Sequence, residues 1–216
     1  MTDVEKYNSQ CRGEEIANSV THGIGALLSL AGSAVLLAAA ILHSDGMGIF
    51  SAAFYGASLM TLYTFSTLYH ASRGPRKKTL QKLDHCSIFF LILGSYAPLC
   101  LVLLDGWPSR LLFLVNAVCA VAGMVLNCLD IRRWHKLSLA LYLIMGWSCV
   151  FLLPPIFAET ELPGRVLLVA GGLLYTAGVL FYADRKHRYM HSVWHLFVIG
   201  GSVSHYFFVL FYTILK

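Results

Sequence analysis

Seven apolar runs, at about residues 19–42, 48–69, 85–104, 111–129, 137–156, 165–183 and 192–214, take up most of the 216-residue chain. A helix needs about 20 residues to cross a hydrocarbon core roughly 30 Å thick, and these runs supply that length one after another. Only 12% of the residues are charged, against roughly 25% in an average soluble domain. The expectation is an all-α integral membrane protein, a seven-helix transmembrane bundle over 18–216 with a polar head at 1–17. The first run follows the mixed-charge head "MTDVEKYNSQCRGEE" and has no small-residue cleavage pattern at its end, so it reads as a retained helix and not a signal peptide.

Lys and Arg set the orientation. Thirteen of the sixteen basic residues fall in the head or in the connections after runs two, four and six, among them Arg73, Arg76, Lys77, Lys78 and Lys82. The opposite side holds Arg110, Arg165 and Lys216, and its longest loop, "FAETELPG", is acidic. By the positive-inside rule the N-terminus is cytoplasmic and the C-terminus outside, the split that an odd number of spans requires. The net charge of +5 therefore marks topology and attraction to anionic lipid headgroups, and no nucleic-acid partner is expected. The six cysteines show no CxxC pair and read as small packing residues. Glycines such as Gly25, Gly171 and Gly201 suit close helix approach.

Ionisable residues at membrane depth are costly and face the bundle interior or a cavity, so each is a functional candidate. His70 closes run two, Asp84 opens run three, and His191 and His195 open run seven, all at the cytoplasmic side. His191 and His195 are four apart and lie one turn above each other on a helix. Three histidines plus a water make an open zinc site, with Asp84 binding, orienting or replacing that water. The donors are hard or borderline with no thiolate, so zinc leads among the divalent metals, one ion per chain. Ser66, one turn before His70, faces the same way and could bond a ligand or the reacting group. Asp84 could also cap the third helix. His205, ten residues beyond His195, is about 15 Å away along the helix; it either lines a substrate cavity or bonds across helices. Glu15, Asn18 and His22 follow a helical spacing at the start of the first span, where they either surround the ligands from outside or simply begin the helix.

Four segments in order, "EEIANSVTHGIG", "STLYHA", "DHCSIF" and "HSVWHLFVIGGSVSH", together resemble the hemolysin III family, the bacterial branch of the progestin and adipoQ receptors, over about residues 14–214. The resemblance implies a multi-pass inner-membrane protein with zinc near the cytoplasmic leaflet, held by His70, His191 and His195. It places Asp84 on the zinc water, Ser66 one turn before the first ligand and His22 in the first span. Because the wider superfamily includes alkaline ceramidases, it also implies a zinc-dependent hydrolase of a lipid amide or ester, with Asp84 as general base and then acid. Two other readings stand beside it: a membrane sensor or regulator in lipid homeostasis, with zinc joining helices, and a haemolytic pore. A pore should carry polar stripes along several spans, yet runs three and six are nearly all apolar.

Overall fold

The structure, a computed structural model, describes residues 10–184 and 186–216. Most of the expected polar head at 1–17, with Lys6, and also Arg185, lie outside the described residues. Every described element is helical: α1 (Arg12–His43), α2 (Gly46–Ala71), α3 (Arg76–Pro98), α4 (Trp107–Trp147), α5 (Leu153–Glu159), α6 (Leu162–Ala183) and α7 (Met190–Val209). A π-helical turn, Leu99–Leu103, extends α3, and another, Leu210–Ile214, extends α7. A 3-10 turn, Ser148–Leu152, links α4 to α5.

Local chemistry accounts for the boundaries. The Asp45 carboxylate accepts from the Gly48 N–H at 2.9 Å and starts α2 directly after α1. At the start of α1 the Cys11 N–H donates to Glu14 Oε2 at 2.8 Å, closing the cap from the other direction. Gly74 turns the chain between α2 and α3 at φ 70°, a conformation that costs glycine little. Within α4, Asp130 leaves the helical region at φ −157°, ψ 101°. Its carboxylate then accepts from the N–H groups of Arg132 and Arg133, so it caps the second arm of a broken helix.

Among the described residues, five stretches are long and apolar enough to cross a membrane: Arg12–His43, Arg76–Leu103, Trp107–Glu159, Leu162–Ala183 and Met190–Ile214. Two features separate this set from seven expected spans. The sequence places a charged connection at 130–136, whereas the structure continues as helix on both sides of the Asp130 break. α2 is long enough, but its serines, threonines, tyrosines and glycines make it less apolar. Its position explains that composition: it packs between α1 and α3, with Ser51, Tyr55, Ser58, Tyr63, Ser66 and His70 buried.

Close approach is built from small residues. A Cβ at Gly25 would lie 2.5 Å from Tyr63 Cδ1, and one at Gly171 would run into the His205 imidazole. The start of α1 and the turn that ends α7 lie at opposite ends of the bundle. At one, Lys77 pairs with Glu15 and the Tyr189 N–H donates to Glu14; at the other, Ser44 donates to the Ile214 carbonyl and Lys216 pairs with Glu159. Arg73, Arg76, Lys77, Lys78 and Lys82 gather at the first, which is the basic end.

Candidate metal centre

His70, on the last turn of α2, and His191 and His195, on the first turns of α7, come together at the basic end. One nitrogen from each lies within 4.8 Å of the other two. Ring centroids are 5.1 Å apart for His70 and His191, 5.2 Å for His70 and His195, and 4.8 Å for His191 and His195. The Nε2 atoms of all three are buried without a hydrogen-bond partner among the described residues.

The bonds made behind the rings fix which nitrogen is free. Glu15 Oε2 lies 2.8 Å from His70 Nδ1. A carboxylate only accepts when ionised, so Nδ1 carries the proton and Nε2 keeps a bare lone pair. Thr21 Oγ1 stands 3.1 Å from His195 Nδ1, and its one proton is already directed at the carbonyls of Ala17 and Asn18. The threonine therefore accepts from His195 Nδ1–H, which again leaves Nε2 bare. These are the outer contacts that orient imidazole ligands and raise their basicity.

Two further contacts brace the assembly. Lys77 Nζ holds the other oxygen of Glu15 at 2.6 Å. Ser192 Oγ donates to Asn18 Oδ1 at 2.5 Å, tying α7 to α1. Tyr189, immediately before α7, adopts the left-handed conformation at φ 64°, uncommon for a non-glycine residue. Its N–H donates to Glu14 Oε1 at 2.9 Å, so the head of α1 also anchors the start of α7.

A buried polar atom left unpaired costs about 1–3 kcal/mol, and whole proteins are stable by about 5–15 kcal/mol. His22 adds both of its ring nitrogens to the three unpaired Nε2 atoms. A packing role would waste a large share of the folding free energy on one cluster. Three imidazoles whose unpaired Nε2 atoms are buried together fit a divalent transition metal, and they match the three-ligand set of an open site.

The other residues expected at the site divide as follows. Asp84 is buried but is not among the atoms that lie within 4.8 Å of one another. It sits well inside α3, which begins at Arg76, so the expectation that it caps that helix is corrected. Its Oδ2 lies 3.4 Å from His85 Nδ1. Ser66 is buried on α2 one turn before His70. His22 stacks on His195, with centroids 3.4 Å apart and planes 12° from parallel. His22 and Asp84 line one end of a mainly apolar cavity of about 160 Å³ that continues past Tyr96 and Tyr175 to His205 and Phe208. His205 bonds across helices, its Nε2 lying 3.1 Å from the Leu168 carbonyl on α6. Thr21 and Lys77 were not singled out by sequence. Thr21 is on the same α1 face as Asn18, three residues on, a usable signal; Lys77 is one of a run of basic residues with nothing local to distinguish it.

A helical bundle whose apolar spans enclose a three-histidine cluster defines a polytopic membrane protein with a buried group of side chains that could hold a metal ion. Residues 11–206 match the family described as Haemolysin-III related. The chain is 38% identical to Hemolysin-3 of Bacillus cereus, covering 99% of this chain and 98% of that protein. It is 38% identical to the Hemolysin-3 homolog of Bacillus subtilis (strain 168), covering 93% and 95%. It is 30% identical to the human Monocyte to macrophage differentiation factor, covering 94% and 85%. The chain belongs to the haemolysin III family, within the progestin and adipoQ receptor superfamily, and is a multi-pass protein of the bacterial inner membrane.

Proposed function

We propose that this protein is a zinc-dependent intramembrane hydrolase of a lipid amide or ester, serving membrane-lipid homeostasis. We also propose seven crossings, with the basic end in the cytoplasm and the C-terminus outside. The stretch Trp107–Glu159 has 53 residues, about 80 Å of helix, far more than one crossing requires. The Asp130 break falls among the basic residues, where two crossings would meet.

The observation that carries the hydrolase reading is the convergence of three unpaired, buried Nε2 atoms beside an apolar cavity that has a carboxylate in its wall. His70, His191 and His195 would hold the ion. When bound, zinc supplies a Lewis acid and lowers the pKa of its water. Glu15 and Thr21 keep two of the ligands in the binding tautomer. The Asp84 carboxylate takes up a proton from the attacking water and returns it to the leaving group. Ser66 holds the reacting group from the His70 face, and the apolar cavity walls take the hydrocarbon part of the substrate and keep bulk water out.

The test is metal content of detergent-purified protein, wild type against the His191→Ala, His195→Ala double variant, followed by lipid profiling of cells carrying wild type or Asp84→Asn. About one zinc per chain, lost in a folded double variant, with a lipid that accumulates only when Asp84 is changed, is the expected result. No metal in the wild type would sink the reading.

A regulator with structural zinc is favoured by a different observation: the ligands come from α2 and α7 while α1 holds both from behind, so an ion would clamp three helices. Asp84→Asn separates the two, because a clamp keeps its metal and its phenotype and a hydrolase loses turnover. The apolar cavity walls argue against a water-filled lytic channel.

A further inference from the structure

His22 is an imidazole at the centre that lies outside the candidate ligand set. It is 2% exposed, and neither ring nitrogen has a hydrogen-bond partner among the described residues. It is outside the group of atoms gathered by His70, His191 and His195, yet its ring lies flat on His195. Tyr63 packs against it in a T-shaped contact, with ring centroids 5.1 Å apart. That tyrosine offers it no bond, because its hydroxyl donates to Ser202 Oγ at 2.7 Å. If stacking were the whole role, phenylalanine would fill the position without burying two unpaired polar atoms.

Its position gives those atoms something to bind. His22 lines the cavity together with Asp84. A neutral imidazole presents one donor and one acceptor, whereas an ionised carboxylate only accepts. A ligand group that satisfies both must itself donate and accept, as a secondary amide or a hydroxyl does and a simple ester does not.

We propose that His22 is the substrate-binding residue of this site, hydrogen-bonding the polar group of an amide- or hydroxyl-bearing lipid whose hydrocarbon part lies in the cavity. This rests on the hydrolase reading for what is bound, but not for whether it is cleaved. The stack on His195 fixes the plane in which the His22 nitrogens face the cavity, so the metal ligand and the lipid-binding group are held at one spacing.

The experiment uses full-length protein in lipid nanodiscs, a fluorescently tagged N-acyl amino alcohol as probe, and three variants. His22→Phe keeps the stack and removes both nitrogens; His22→Gln keeps a donor and an acceptor without the ring; Asp84→Asn serves as the comparison for turnover. The expected result is that His22→Phe retains the wild-type metal content and unfolds no earlier on heating. Its probe affinity falls by about tenfold or more, and His22→Gln recovers part of the loss. Wild-type probe affinity in His22→Phe, metal lost in step with affinity, clearly earlier unfolding, or no probe binding by the wild type would each overturn the proposal. Probe bound through His22 but never cleaved by the wild type would overturn the hydrolase reading and leave the assignment of His22 standing.

Discussion

The two halves of α7 carry histidines of opposite character. In the first half His195 is fully buried, its Nδ1 bonded to Thr21 and its Nε2 unpaired among other imidazoles. In the second half His205 is partly buried, packs against Gly171, and directs its Nε2 to the Leu168 carbonyl. A carbonyl only accepts, so there Nε2 carries the proton. Burial alone does not distinguish a ligand from a packing residue; the proton on the nitrogen that faces the neighbours does.

The largest expected effect tests that contrast directly. His191→Ala with His195→Ala should abolish metal binding, while His205→Ala should leave the metal content at the wild-type level. Elemental mass spectrometry on purified protein checks both, and metal that followed His205 would break the comparison. Next in size, Asp84→Asn should lower lipid turnover by about 10²–10⁴-fold with the metal retained, as expected for loss of a general acid–base group. Smaller again, Glu15→Ala or Thr21→Val should weaken metal affinity by about 10–100-fold, measured by chelator competition, because each removes the bond that holds a ligand in its tautomer. The smallest effect belongs to the second half of α7: His205→Phe should cost about 0.6–2 kcal/mol of stability, the range for a hydrogen bond between membrane helices. Thermal unfolding would register it with no change in bound metal.

Much of this was legible in the sequence because depth is written into a membrane chain. His70, His191 and His195 could be placed at one level from the ends of two apolar runs, and the helix period put His191 and His195 on one face. Element boundaries were less legible, because helices here outrun their apolar stretches. α1 begins at Arg12 and α3 at Arg76, several residues before the greasy part, since backbone bonds continue wherever a polar turn can face water or a cap is available. The Asp130 break shows the reverse: a charged stretch that looks like a loop keeps helical bonding on both sides of a single residue. The braces were least legible. Lys77 has the same local sequence character as its neighbours, and only the tertiary arrangement brings it to Glu15. The π-helical ends of α3 and α7 have no period that an apolar pattern reveals.

The three candidate ligands sit on α2 and on α7, with four helices between them in the chain. During synthesis His70 enters the bilayer early and must wait for the last helix before an ion can be gripped, while α1 already holds Glu15 and Thr21 ready. An ion that binds only the complete arrangement stabilises that arrangement alone. Metal acquisition would then report that insertion is finished, and a chain stalled before its final helix would carry none.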